Sequence, residues 1–300
     1  MSHPTAEITP PANIKPDPND CYLVENILEG ELGNTAFALL RKEVDWQVMN
    51  HRGNEVPRLV AVQGQIDHDG SFPIYRHPAD TSPPLIQFTP TVALIREAVE
   101  KALNHPVNHV LIQLYRDGKD AISEHSDKTI DVVRGSKIVN VSLGAQRTMV
   151  LRTKRDVLAP GEAGTPNARP THRVPLPDNS MFVLGLETNR TWLHGINRDK
   201  RLESLKSEAE RSEATSGERI SLTFRRIGTF LSADETHIWG QGATAKTKET
   251  AKPITPPDPE YREDRINLIK AFSKENQDSD FNWDEWYGTG SDVLHLEGVE

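Results

Sequence analysis

The sequence predicts a mainly β protein, a sandwich or jelly roll backed by helices. Three observations carry this. Two segments early in the chain place apolar residues at helical spacing. Seven short runs rich in Val, Ile, Leu and Thr follow, separated by Gly, Pro, Asn and Asp. Apolar residues make up 36% of the 300, enough to bury a core, and this order of elements suits a β core covered by helices.

Residues 1–20 hold five prolines and almost no large apolar side chain, so they read as a disordered arm. The folded domain is expected over 21–231. Its first helix falls in TAFALLRKEVDWQVM, where Phe37, Leu40, Val44 and Val48 share a face; a strand-like PRLVAVQG follows. The second helix falls in TPTVALIREAVEKALNH, with Val92, Ile95, Val99 and Leu103 aligned. Then come HVLIQLY, KIVNVSLG, TMVLRTK, HRVPLP, SMFVLG, TWLHGI and RISLTFRRI as strands. Residues 199–218 are charged on every face and read as an exposed insert, with a functional lid as the alternative. Residues 232–258 read as a linker. The tail 259–300 carries a helical segment and four aromatics, Phe281, Trp283, Trp286 and Tyr287; Trp283 and Trp286 are expected to pack on the domain.

The formal charge is -9, but it is uneven. Residues 1–34 have six acids and one lysine, residues 232–300 have 15 acids and seven bases, and the body between them is net +4. An acidic total argues against nucleic acid as partner; a basic body keeps it open. The single Cys21 excludes an intramolecular disulfide and a thiolate metal cluster, and suggests a reducing compartment. The chain has no membrane-length apolar run and no signal-peptide core, so an intracellular, nuclear or cytoplasmic, protein is expected.

Three segments carry chemistry. In SEHSDKT, His125 and Asp127 stand two apart, so in extended chain both point the same way. In TWLHGI, His194 offers a second imidazole. Two His and a carboxylate make the facial triad of non-haem Fe(II) oxygenases, with positions left open for oxygen and a co-substrate. In RISLTFR, Arg219, Ser221, Thr223 and Arg225 alternate with Ile220, Leu222 and Phe224, so two guanidiniums share a face that needs anionic partners. A dicarboxylate would supply them. Each element alone is commonplace, because a lone His is usually structural and an Arg-bearing strand is usually a solvated edge. Their order and separation make the signal.

Over roughly residues 56–228 the chain resembles the AlkB-type Fe(II)/2-oxoglutarate dioxygenases, particularly the eukaryotic members that repair alkylated DNA or RNA. The matching stretches are VPRLVAVQG, VLIQLYRDGKDAISEHSDK, GSKIVNVSLGAQRTMVLRTK, VPLPDNSMFVLG, WLHGI and RISLTFR. The resemblance implies a double-stranded β-helix with the N-terminal helices against one sheet. It implies Fe(II) bound by His125, Asp127 and His194, with 2-oxoglutarate and O2 as co-substrates. It implies that Arg219 pairs with the distal carboxylate, that Arg225 sits near the proximal carboxylate and Asp127, and that Tyr115 hydrogen-bonds the co-substrate. Gln113 stands where the family usually has Asn, and Ser221 replaces the Asn of its Arg-x-Asn-Leu-Thr-Phe-Arg signature, which alters reach around the co-substrate.

The resemblance thins at the substrate face. Gln63 stands where an aromatic is expected, which leaves Phe72 and Tyr75, with His77 nearby, to stack on a flipped base; Tyr75 has an equal claim as a packing residue. Arg58, Arg76, Arg152, Lys154, Arg155, Lys200 and Arg201 are the candidate phosphate contacts. The leading expectation is oxidative demethylation of an N-alkylated base in DNA or RNA. The rivals are a small-molecule or protein-side-chain oxygenase on the same scaffold and a non-catalytic binding protein whose aromatic tail docks on a partner.

Overall fold

A computed structural model describes residues 15–51, 53–78, 83–157 and 169–296. The expected disordered arm lies outside the described residues up to residue 14. The ordered chain is already engaged at Asp20, whose carboxylate accepts from the Thr188 amide at 2.7 Å.

In chain order, β1 is Cys21–Glu25, α1 Gly30–Glu43, β2 Asn50–His51, β3 Asn54–Glu55, β4 Leu59–Gly64, β5 Phe72–Pro73, β6 Leu85–Gln87 and α2 Pro90–Leu103. Next come β7 His109–Tyr115, β8 Ile122–His125, β9 Lys137–Gly144, β10 Arg147–Thr153, β11 Thr171–Leu176, β12 Ser180–Gly185, α3 Leu186–Thr191 and β13 Trp192–Ile196. Then follow α4 Glu208–Arg211, β14 Arg219–Arg225, β15 Thr229–Leu231, β16 His237–Gly240, β17 Lys252–Pro253, α5 Arg262–Gln277 and α6 Trp283–Tyr287.

The strands form a seven-stranded sheet ordered β1-β12-β9-β14-β7-β4-β6 and a four-stranded sheet ordered β11-β10-β13-β8. All pairings in the two sheets are antiparallel except β4 with β6. This is the jelly-roll arrangement the strand spacing suggested. Alternation sorts the large sheet into two faces. Ile220, Leu222 and Phe224 of β14, with Val110, Ile112 and Leu114 of β7 and Val139, Val141 and Leu143 of β9, join a core with Ala36 and Leu40 of α1 and Val92, Ile95 and Val99 of α2. The helices therefore cover one face. The opposite face of β14, β7 and β9 carries the polar residues and looks into the barrel.

Three departures have local causes. α1 stops at Glu43 because Val44 turns extended and Gln47 bridges to Val60, so Val48 ends up exposed rather than in the helical stripe. The insert is a run of short turns; α4 closes with a capping box between Ser207 and Glu210, and Leu202 and Leu205 stay exposed. The stretch 232–258 is not a free linker. β16 and β17 join β15 and β5 in a second four-stranded sheet, and Ala243 and Ala245 are buried. Small residues can pack tightly in a turn-rich segment whose composition resembles a linker.

The tail packs on the domain. Ile130 clusters with Leu268, Ala271 and Phe272 of α5 and with Phe281, Tyr287 and Val293. Phe281 and Tyr287 are the buried anchors, while Trp283 and Trp286 are half-buried at the margin. The Trp283 indole donates to the Thr129 carbonyl at 3.1 Å, and Arg134 stacks on its ring while pairing with Asp284.

Candidate active site

β8 and β13 set the two imidazoles side by side. His125 and His194 are register partners, with ring centroids 4.3 Å apart. Gly195 permits this approach, because a Cβ there would lie 2.9 Å from the Ile122 carbonyl oxygen. Past His125 the chain leaves the sheet and turns Asp127 inward. The Asp127 Oδ1 stands 3.8 Å from His125 Nε2 and 3.9 Å from His194 Nε2. One donor atom from each of the three lies within 4.8 Å of the others. Two imidazole nitrogens and one carboxylate oxygen, converging from one side, suit a divalent transition metal with open positions opposite.

The tautomer of one ligand follows from its partner. His125 Nδ1 sits 2.8 Å from the Ser123 carbonyl, which can only accept, so Nδ1 carries the proton and Nε2 is left with its lone pair. Burial, with the neighbouring His194 imidazole, pushes His125 down to about 3, and burial lowers His194 as well. Both rings are thus neutral and ligand-ready at neutral pH. Burial alone would raise the Asp127 carboxyl, but Arg225 and the two imidazoles outweigh it and hold the group below the usual carboxylate range. Arg225 reaches Asp127 Oδ2 with Nε at 3.1 Å and Nη2 at 2.8 Å, and its guanidinium stacks 3.9 Å from the Tyr75 ring.

The inward polar row of β14 lies opposite that of β7, Arg219 beside Tyr115 and Ser221 beside Gln113. These residues line a cavity of about 50 Å3 together with the metal cluster. Arg219 is buried, its Nη2 donates to Asn140 Oδ1 at 3.0 Å and Ser142 Oγ at 2.7 Å, and burial lowers it only to about 10, so it stays charged. Its Nε and Nη1 find no hydrogen-bond partner among the described residues, nor do Gln113 Nε2 and Arg225 Nη1. Orphaned buried donors are costly. Their cluster fits an anionic co-substrate, whose carboxylate oxygens would accept charge-assisted hydrogen bonds from the free Arg219 donors.

The sequence reading passed over Asn140 and Ser142. Asn140 also donates to Ser221 Oγ at 2.6 Å and Thr223 Oγ1 at 3.1 Å. The signal was present, because KIVNVSLG alternates apolar residues on the helix-covered face with Asn140 and Ser142 on the other.

The expected substrate residues are largely committed elsewhere. Arg76 is a correction: it is buried, pairs with Asp131 and donates to the Ser291, Val293 and Gly242 carbonyls, which occupies every N–H of the guanidinium. Arg58 is buried and donates to the Ala121 carbonyl at 3.0 Å. Lys154 is buried and donates to the Glu275 and Asp278 carbonyls. Arg152 pairs with Glu124, and Arg201 with Asp199 and Glu210. Arg155 and Lys200 are exposed. The expected basic face is therefore not assembled. Tyr75 does reach the centre, where its hydroxyl accepts from the Lys128 amide at 3.0 Å. It also lines a larger cavity, about 370 Å3, with Phe72, His77, His109 and Leu294, and Leu111 belongs to the wall of both cavities.

A model of the 2OG-Fe(II) oxygenase superfamily matches residues 20–225. Human DNA oxidative demethylase ALKBH2 is 32% identical over 139 residues, covering 46% of this chain and 46% of that protein. Bovine alpha-ketoglutarate-dependent dioxygenase alkB homolog 3 is 24% identical over 198 residues, covering 65% of this chain and 61% of that protein. The chain thus spans only about half to three fifths of the length of these relatives. A solved structure titled "The structure of OsALKBH1" aligns over 69% of this chain and 98% of that one, with 14% identity and a TM-score of 0.45.

Proposed function

The chain belongs to the 2OG-Fe(II) oxygenase superfamily, whose reactions use Fe(II), 2-oxoglutarate and O2, and from that premise we propose that it hydroxylates an N-alkyl carbon of a nucleobase in DNA or RNA. His125, Asp127 and His194 hold the iron, Arg219 binds the distal carboxylate of 2-oxoglutarate, and Tyr115, Gln113 and Ser221 line its stem. The observation that carries the metal assignment is the convergence of one Asp127 oxygen on the Nε2 atoms of two neutral histidines.

When bound, iron with O2 supplies the oxidation that turns 2-oxoglutarate into succinate and CO2 and delivers a hydroxyl to the substrate carbon. The chain's own residues set the geometry. Arg225 keeps Asp127 ionised and occupies its second oxygen. Ser123 fixes the His125 tautomer. Arg219, anchored on Asn140 and Ser142, presents its remaining donors to a carboxylate. A hydroxylated N-methyl group then loses formaldehyde to leave the demethylated base.

The names of the relatives support the nucleobase reading. One observation favours a second reading, a small N-alkyl substrate: Arg58, Arg76 and Lys154, three of the bases offered for phosphate contact, are sequestered inside the protein. Succinate release and formaldehyde release, measured side by side with methylated oligonucleotides and with the free methylated nucleosides, decide between them. Coupled turnover of the oligonucleotides supports the first reading. Coupling confined to the free nucleosides supports the second.

A further inference from the structure

Residues 126–129 leave β8 without a strand partner, so four consecutive backbone amides need acceptors from elsewhere. Each finds a side chain. Ser126 N donates to Asn276 Oδ1 at 2.9 Å, Asp127 N to Asn189 Oδ1 at 2.9 Å, Lys128 N to the Tyr75 hydroxyl at 3.0 Å and Thr129 N to Glu275 Oε1 at 3.0 Å. Two of the four acceptors are adjacent residues at the end of α5, which lies beyond the residues matched by the superfamily model. The same turn takes further bonds from the loop. The Thr129 hydroxyl donates to Glu275 Oε1, the Ser126 hydroxyl to the Glu275 carbonyl at 3.2 Å and Lys128 Nζ to Asn276 Oδ1 at 3.4 Å. Glu275 is itself buried and held by the Tyr287 hydroxyl at 2.7 Å.

We propose that the Glu275–Asn276 turn is a positioning element for the metal: the tail grips the backbone on both sides of Asp127 and so fixes where its carboxylate points. This rests on the reading of His125, Asp127 and His194 as iron ligands. The physical reason is preorganisation. A loop without ladder bonds would otherwise sample many backbone states, and ordering it at the moment of binding would weaken metal affinity. Among the described residues the Asn276 side chain hydrogen-bonds Ser126 and Lys128 and none of the three ligand side chains, so it acts through the loop. A tail that only filled space, through Leu268, Ala271 and Phe272, would affect melting temperature alone.

The test uses the full chain with Co(II) as the probe, titrated by its visible absorption, at a temperature where circular dichroism shows each variant folded. Asn276→Leu keeps the size and removes the acceptor, and it should weaken Co(II) binding by about 10–100-fold, the usual range for residues that orient ligands. Asn276→Asp keeps an acceptor oxygen and should bind close to the parent. If Asn276→Leu does not fold, Asn276→Ala against Asn276→Asp makes the same comparison. Parental affinity without the acceptor, or equal weakness in the Asp variant, overturns the proposal. Asp127→Ala is run alongside. Parent binding that does not depend on Asp127 overturns the metal-site reading and the proposal with it; Asp127-dependent binding that ignores Asn276 overturns the positioning role alone.

Discussion

The two oxygens of Asp127 are divided: Arg225 takes Oδ2 through two N–H groups, at 2.8 and 3.1 Å, and Oδ1 is left facing the two imidazoles. A buried carboxylate without its cation is an uncompensated charge. Arg225→Met should therefore destabilise the metal-free protein by about 3–5 kcal/mol. A bound divalent ion would replace much of the missing positive charge, so the loss should be smaller in the metal-loaded form. Urea unfolding with and without Co(II) measures both. An equal loss in the two forms would mean that Arg225 supports packing and not the charge on Asp127.

Arg219 presents a different problem, because its free donors have no carboxylate among the described residues. Arg219→Lys keeps a charge but replaces a planar fork with a point. The concentration of 2-oxoglutarate needed for half-maximal succinate release should rise tenfold or more, on the order of one charge-assisted hydrogen bond. Co(II) affinity should stay at the parental value, because Arg219 hydrogen-bonds Asn140 and Ser142 and, among the described residues, none of the three metal-site side chains. An unchanged co-substrate requirement would remove Arg219 from the pocket.

The contrast between these arginines and Arg76 explains what was legible in the sequence. Arg219 and Arg225 sit in a strand whose alternation shows their face, and local periodicity is enough for such residues. Asp127 is different: β8 ends at His125, so its direction is set by the side chains that hold residues 126–129. Arg76 lies outside that kind of pattern, and its partners are Asp131 and carbonyls some 166 to 217 positions away. Nothing local distinguishes it from a solvated arginine. The same holds for Lys154 and for the tail: EYREDRINLIKAFSKE reads as a helix, but only the fold brings Glu275 and Asn276 against residues 126–129. Residues 232–258 failed as a linker for a related reason: Ile238 and Trp239 of β16 and Ala243 and Ala245 after it are buried, and Ile238 and Ala243 cluster with Ile74 and Leu231, partners that the local composition does not show.

Cys21 offers a pH-dependent check on β1. Burial, helped by Asp20, pushes its thiol from 9.0 up to about 12. A raised thiol pKa means that the folded state holds the proton more tightly. That contribution to stability is fully present below 9.0 and is lost as pH rises toward 12. Only the thiolate reacts, so at pH 8.5 alkylation of the native protein by iodoacetamide should be slower than that of the urea-unfolded chain by about a hundredfold or more. Comparable rates would show that β1 opens freely from β12.

Tyr75 separates two roles that the sequence could not. A stacking residue needs its ring, and a loop support needs its hydroxyl. The ring already carries Arg225 at 3.9 Å, and the hydroxyl is the acceptor of the Lys128 amide. Tyr75→Phe keeps the ring and leaves that buried amide without a partner, which should cost about 1–3 kcal/mol in urea unfolding. It should also weaken Co(II) binding, because Lys128 follows Asp127 directly and the loop loses one of its four side-chain anchors. Binding of a methylated single-stranded oligonucleotide should survive the change if stacking is the ring's contribution. Tyr75→Ala removes ring and hydroxyl together, and a base that stacks there should then bind more weakly by about 1–3 kcal/mol relative to Tyr75→Phe. Equal oligonucleotide binding by the Phe and Ala variants, with metal affinity reduced in both, assigns Tyr75 wholly to the support of the Asp127 loop and leaves the aromatic face of the larger cavity to Phe72, His77 and His109.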